Sequence, residues 1–520
     1  MKDLFRFFPP EKTRTGVLML LAFLLPFLWI CAIRGICMNG GESGNDAYYH
    51  AAAAQQGPAV FCAKTFPTLE LSIWKENFAN KELLYHTVLW GLFSLEKLFQ
   101  ISPEAPFHFP ALFFMALALG GFIFAMKRFG VSPELMIPMT LLGVMSCSNI
   151  LFRFMMLRPH VLSLAWMLLL CGILLKGSPG SRISGCFLVS LFYTWSYSNP
   201  QFILLPAAAF SIAAWIDQKD KRFLWGIGAA VLGILTALIL HPQFPNTFYI
   251  WKVQTLDAVL GPVLAISGKS YSSLMAPMEM SNPGLSFVRD AAGLYLLEYF
   301  VLLTFARLIS VKGFKNISPY LSAAVALSVL YVGGTFVVQR TMEYAAPFAA
   351  LAGSFVFHTA LQEKVFLPWK ETPQRFCRVL LLCALLLASI AVLLNISHKR
   401  LSTPPAEKIG KWMEKNLPEG TLVVNLNWGD FPAIYHANRK QRFFWGMDPV
   451  FSLAKDPERT RKFEEMLRDP RKLTPTRFYR LTSTRYALVL SRREAFVRYM
   501  KSMGWTALYE DPSGTVFYVQ

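Results

Sequence analysis

The sequence predicts an α-helical polytopic membrane protein, with about eleven transmembrane helices and a small extracytoplasmic α/β domain at its C-terminal end. Three observations predict it. Apolar runs of about 17–22 residues recur along the first three quarters, each long enough to cross a hydrocarbon core of roughly 30 Å as a helix. Only 16% of the 520 residues are charged and 54% are hydrophobic, whereas a soluble chain carries about 25% charged residues. The texture then changes near residue 396, after which charge is dense and apolar runs are short.

Residues 1–15 are polar and basic (Lys2, Arg6, Lys12, Arg14), and residues 16–37 are apolar. That run is too long for a signal peptide and no small-x-small cleavage pattern follows it. It therefore reads as an uncleaved first span with its N-terminus in the cytoplasm. Residues 38–106 form a first external loop. Within it, residues 84–99 are a short apolar piece interrupted by His86, Glu96 and Lys97. Counted as a span, this piece would put Lys127 and Arg128 outside, against the positive-inside bias. Taken as a helix lying in the interface, it lets every later loop agree. Spans follow at residues 107–126, 133–152, 159–175, 183–197, 202–216, 223–240, 291–308, 320–338, 344–361 and 379–394, with a second external loop at 241–290. Residues 1–396 are thus the membrane domain and residues 397–520 an extracytoplasmic one. In the latter, residues 423–426, 487–490 and 515–518 read as strands, and 408–416 and 494–503 as amphipathic helices. About 120 residues suffice for one small α/β domain. Its excess of Lys and Arg does not upset the topology, because long translocated domains escape the positive-inside rule.

The net charge of +19 points first to cytoplasmic loops and to anionic lipid headgroups of an inner, cytoplasmic membrane. Nucleic acid is not expected as a partner, since no basic helix with interleaved aromatics stands clear of the spans. The eight cysteines show no CxxC and no even spacing, so neither a zinc site nor a disulfide framework is indicated. Only Cys37 and Cys62 could meet outside the membrane.

Chemistry gathers at the predicted outer side. The polar, glycine-rich stretch Gly40-Gly41-Glu42-Ser43-Gly44-Asn45-Asp46-Ala47-Tyr48-Tyr49-His50 follows the first span directly. A carboxylate at the membrane boundary can take a proton from an acceptor hydroxyl, or hold a divalent cation (Mg or Mn) that steadies a donor phosphate. If residues 45–54 are helical, Asp46 and His50 lie one turn apart on one face, a spacing usable for metal or proton handling. Glu42 could extend that set. The other reading of Asp46 is a cap for the alanine-rich helix that follows, and the two roles are compatible. Arg158-Pro159-His160 opens an inward span, where a guanidinium could pair with a phosphate or simply snorkel. Arg340 with Glu343 occupies a later outer mouth, as a functional pair or an ion pair joining helices. Asn199-Pro200-Gln201 and His241-Pro242-Gln243 break helices at outer mouths too, either lining a cavity or making tight turns. Asn427-Trp428-Gly429-Asp430-Phe431 and Gly446-Met447-Asp448-Pro449 follow strands and read as turns.

At these residues the chain resembles the GT-C class of multi-span glycosyltransferases, which take sugars from polyprenyl-phosphate or polyprenyl-diphosphate carriers. The resemblance rests on Asp46-Ala47-Tyr48-Tyr49-His50 after the first span, the large first external loop, Arg158-Pro159-His160 and Gln339-Arg340 at later outer mouths, and the extracytoplasmic C-terminal domain. It is distantly similar to oligosaccharyltransferase catalytic subunits and protein mannosyltransferases, and looks most like bacterial members of the class. It implies that Asp46 is the catalytic base or metal-binding carboxylate, with Arg158 or Arg340 neutralising the donor phosphate. Tyr48, Tyr49 and Trp74 would then supply aromatic surface for sugar or prenyl chain, with His50, Glu42, His160 and Glu343 in support and any metal at Asp46 and His50. Asn427-Trp428-Gly429-Asp430-Phe431 stands where archaeal oligosaccharyltransferases carry Trp-Trp-Asp-Tyr-Gly. The second Trp and the Tyr-Gly ending are missing, so the resemblance does not extend to an Asn-X-Ser/Thr acceptor. The His-Pro-Pro-Leu pattern of protein O-mannosyltransferases and lipid A aminoarabinose transferases is absent as well.

The expectation is transfer of a sugar from a polyprenyl-linked donor to an extracytoplasmic glycan, lipid or protein. The rival is a transporter or flippase of a lipid-linked or anionic solute. A transporter would show repeat symmetry and ionisable residues near the midplane, and neither is evident here. A non-catalytic scaffold is the third reading.

Overall fold

Each predicted span is met by a helix, and proline or serine at their starts explains many of the boundaries. Pro133, Pro159, Pro179 and Pro319 each sit at the first helical turn, where a missing N–H costs nothing. The computed structural model describes residues 11–38, 42, 45–101, 107–257, 283–365, 373–397, 406–490 and 494–520. Gly40, Gly41, Ser43 and Gly44 of the glycine-rich stretch, and residues 258–282 of the second predicted loop, lie outside the described residues.

The protein is a polytopic membrane protein. Among the described residues, seven helices meet the length and hydropathy needed to cross a bilayer, or eight if the bent pair Pro133–Met145 and Ser148–Met155 is one span. This is fewer than the eleven expected, for two physical reasons. Pro159–Leu175 and Pro319–Gly334 are apolar but short, reaching only about 25 Å at 1.5 Å per residue. Pro179–Ser196 carries Arg182 and several hydroxyl side chains on its length.

The chain divides into two compact units. The first takes in Met1–Asn39, His108–Ala237 and Glu279–Arg400 and is a helical bundle. Of its seven long apolar helices, Gln339–Gln362 is the most enclosed, and it packs on Pro133–Met145, Ala292–Lys312 and Pro319–Gly334. Small residues allow this closeness: Ala345, Ala346, Ala349, Ala350 and Ala352 are all buried, and small interfaces are how membrane helices approach one another. The tightest approach is at Gly293, where a Cβ would fall on the carbonyl oxygen of Ser146.

The second unit takes in Gly40–Phe107, Leu238–Met278 and Leu401–Gln520. Its sheet has strands β1 (Leu422–Asn425), β2 (Arg442–Phe443), β3 (Tyr486–Leu490), β4 (Thr506–Asp511) and β5 (Gly514–Tyr518), in the order β2-β1-β3-β5-β4. β1 runs parallel to β2 and β3, and β5 is antiparallel to β3 and β4. The helices Glu407–Asn416 and Glu494–Ser502 match the expected ones. Residues 68–71 extend this sheet past β2. Phe443 N–H donates to Thr68 O at 2.7 Å, and Glu70 and Leu71 donate to Phe443 O and Phe444 O at 2.9 and 2.6 Å. Leu71 then joins Val424, Phe444, Phe463 and Phe517 in the sheet core.

His241-Pro242-Gln243 is a stitch rather than a cavity lining. The Gln243 side chain donates to Val60 O (3.1 Å) and Ala63 O and accepts from Asn80 N–H (2.5 Å). His241 Nε2 donates to Asn80 O at 3.1 Å. Leu83–Phe99 buries Tyr85, His86, Leu89, Leu92 and Glu96 and exposes Trp90, Leu95, Leu98 and Phe99. An apolar outer face on a short amphipathic helix suits a membrane interface. Phe107, past its end, packs back on Phe93 and Tyr48. Asn427 and Asp448 cap short helices by accepting from Gly429 N–H and Val450 N–H at 3.3 and 3.1 Å, which makes both segments turns. All eight cysteines, Cys37 and Cys62 included, are free thiols.

Candidate functional site

Two polar clusters hold the sequence-predicted residues, one in each unit. The first, in the helical bundle, starts from a bend. Pro133–Met145 and Ser148–Met155 meet at 85°, which turns Arg153 towards the start of the Met342–Gln362 helix. Arg153 forms an ion pair with Glu343, whose side chain is only 2% exposed. Arg340 Nε stands 3.5 Å from the same carboxylate, one turn before it. Arg158 occupies the N-cap position of the Pro159–Leu175 helix, and two residues on, His160 Nε2 is 3.0 Å from Arg153 O. Glu343, Arg153, Arg158 and Arg340 all act electrostatically on His160, and Tyr197 is within reach of three of them. Beneath them Ser163 Oγ and Tyr344 OH are 3.2 Å apart. The buried Arg34 donates to Met155 O, satisfying an orphan carbonyl where the Ser148–Met155 helix ends.

The sequence-predicted Arg158, His160, Arg340 and Glu343 are therefore neighbours. Among the described residues, three guanidiniums gather near the Glu343 carboxylate, and Arg groups of this kind match the oxygens of a phosphate. Sequence reasoning missed Arg153, because its segment reads as the polar tail of a single span.

The second cluster belongs to the other unit. Asp46 is the second residue of the Asn45–Gln56 helix, in the first turn where a carboxylate meets the positive end of the helix dipole. It is half-buried. His50, one turn on, points into a buried polar knot. His50 Nδ1 and His86 Nε2 are 2.8 Å apart, and His86 Nδ1 is 2.6 Å from Asn80 Oδ1. Because the Asn80 oxygen accepts, His86 carries its proton on Nδ1 and offers Nε2 to His50. Burial pushes His86 down to about 3, so it is neutral at physiological pH. Glu82, one turn before His86 on the same helix, completes a group whose ligand atoms lie within 4.8 Å of one another. Asp46 is not in that group.

Glu42 N–H donates to Tyr48 OH at 3.2 Å, and burial pushes the Tyr48 phenol up to about 12. Tyr48, Tyr49 and Trp74 are 1%, 1% and 0% exposed. Tyr48 packs on Phe107 and His436, Tyr49 on Trp74 and Tyr435, and Trp74 on Phe78 and Phe451. Their rings form a core and leave no face for a sugar. The sequence signal for Glu82 and His86 was their spacing of four, which in an apolar segment reads as an interruption.

No family model matches the sequence, and no curated protein does. Solved structures do. Oligosaccharyltransferase AglB from Archaeoglobus fulgidus, in complex with an inhibitory peptide and a dolichol-phosphate, aligns with a TM-score of 0.57 at 11% identity, over 96% of this chain and 74% of its own. ArnT from Cupriavidus metallidurans, bound to undecaprenyl phosphate, gives 0.56 at 12% over 97% and 98%. The fold is GT-C-like. A third GT-C protein, the arabinofuranosyltransferase AftD from Mycobacteria, gives 0.56 at 12% over 98% of this chain and 40% of its own. The GT-C-like fold accounts for both the helical bundle and the small mixed sheet in one chain.

Proposed function

We propose that the protein transfers a sugar from a polyprenyl-phosphate or polyprenyl-diphosphate carrier to an extracytoplasmic acceptor. The observation that carries this reading is the cluster of Arg153, Arg158 and Arg340 around the buried Glu343 in a GT-C-like fold. Asp46 takes the proton from the acceptor as its oxygen or nitrogen attacks the anomeric carbon. The bond from that carbon to the phosphate oxygen breaks, and the phosphate keeps the electron pair. Fixed guanidiniums in a water-poor site stabilise that developing charge more than water does. Asp46 acts in this proposal as a base rather than as a metal ligand, because it lies outside the group of possible ligand atoms formed by His50, Glu82 and His86. In this reading the protein sits in the cytoplasmic membrane, with its N-terminus in the cytoplasm and residues 397–520 outside.

The test is sugar transfer by membranes loaded with polyprenyl-linked donor. Asp46→Asn should lose about 10²–10⁴-fold in rate, the contribution of a general base, with membrane insertion checked separately. Wild-type product from that variant sinks the mechanism. A donor that changes sides with its sugar linkage intact points to a flippase instead. The exposed Cys62 thiol reports sidedness: a membrane-impermeant maleimide should label it in intact spheroplasts.

A further inference from the structure

The His50–Glu82–His86 knot has the composition of a metal centre, and nothing in the sugar-transfer reading uses it. All three residues are buried, at 5%, 3% and 0% exposure. They come from two helices, with His50 on Asn45–Gln56 and Glu82 and His86 one turn apart at the start of Leu83–Phe99. A buried carboxylate is costly unless cations and donors compensate it, and Lys81 Nζ, 3.7 Å from Glu82 Oε1, is one such cation. Asn80 Oδ1 holds His86 Nδ1–H at 2.6 Å. An outer partner of this kind fixes the ring and the tautomer of a metal-bound histidine.

We propose that His50, Glu82 and His86 bind one zinc ion, with a fourth position left for water. Two imidazoles and one carboxylate suit zinc, whereas magnesium and manganese favour all-oxygen sets. Zinc–nitrogen bonds of about 2.0–2.1 Å in tetrahedral geometry place two ligand nitrogens roughly 3.3 Å apart. The His50 Nδ1 and His86 Nε2 atoms, now 2.8 Å apart, separate by about half an ångström to admit the ion. The proton between them moves with the tautomer of His50, from Nδ1 to Nε2, so both rings stay neutral. The ion then clamps the helix that carries Asp46 to the Leu83–Phe99 helix. This assignment does not rest on the sugar-transfer reading.

The experiment is metal analysis of the full chain, purified in detergent, stripped with chelator, reloaded with zinc alone and dialysed. Wild-type protein should retain about one zinc per chain, and cobalt(II) in its place should give visible bands of four-coordinate intensity. His86→Asn and His50→Asn should lose at least nine tenths of the zinc. Asn80→Ala, which keeps all three ligands, should weaken zinc binding about 10–100-fold. Asp46→Asn should keep wild-type zinc, which separates this centre from one built on Asp46 and His50. Wild-type protein that retains less than a tenth of an equivalent overturns the proposal, whatever the variants do. Full zinc content in both histidine variants overturns it too.

Discussion

Each of the two units coheres by its own means. In the helical bundle, apolar helices meet through small residues, and the limiting contact is the Gly293 backbone against the Ser146 carbonyl. In the other unit, segments far apart in sequence are tied by side chains that satisfy buried backbone groups, as Gln243 does for Val60, Ala63 and Asn80. The difference follows from solvent. Helices in lipid already satisfy their own backbones, so the remaining lever is packing. Buried loops, which lack a helix's internal ladder, must find partners for every N–H and C=O.

Four substitutions or conditions sharpen that contrast. Gln243→Leu keeps the volume but orphans three buried backbone groups, and should cost the second unit roughly 3–5 kcal/mol. Faster hydrogen exchange across residues 60–80 would show it, and wild-type protection there would break the contrast. Gly293→Ala should cost the bundle about 2–3 kcal/mol through overpacking, read as a lower unfolding temperature in detergent. The same Gly→Ala change at Gly420, in open space, makes no clash, so any cost there comes from its left-handed backbone alone.

The third is acidity. Burial holds His241 down to about 4, and its Nδ1 accepts from Gln243 N–H at 3.2 Å, a bond that a second ring proton would displace. Below about pH 6.5 the unfolded chain takes up a proton that the folded unit refuses, so stability is complete above that pH and falls as pH drops towards 4. By pH 5 the loss is about 2 kcal/mol. His241→Asn should flatten that slope in pH-dependent melting, and an unchanged slope would place the acid sensitivity elsewhere. The smallest effect belongs to the lipid-facing surface. Leu382, 67% exposed on the Arg375–Ile396 helix, should tolerate Ala at roughly 0.5 kcal/mol or less.

Hydropathy made the helices legible because each satisfies its own backbone and needs no partner to be recognised. Length and hydropathy admit fewer of these helices as crossings than the eleven expected, because Pro159–Leu175 is short and Pro179–Ser196 is polar. β1, β3 and β5 read from their buried runs. β2 is two residues long, and β4 is an exposed edge with a polar pattern, so neither leaves a periodic trace. Arg158, His160, Arg340 and Glu343 were legible because charge at a span end is costly and conspicuous. Arg153 was hidden by a bend that no proline or glycine announces at the junction. His50 was legible as a ligand type, but its partners were not. Its neighbours Glu82 and His86 lie more than thirty residues on, and only the folding of one helix against another brings them to it.

The short strand at residues 68–71 sets a timetable for synthesis. Its partner side chains Glu70 and Arg442 are 372 residues apart. At about 5–20 residues per second, the first segment waits on the order of 20–70 s for the second to be made. Throughout that interval Leu71 and the strand edge beside it lack the β2 backbone that covers them in the finished protein. A chain built this way has reason to keep the waiting segment charged, as Glu70, Lys75 and Glu76 do.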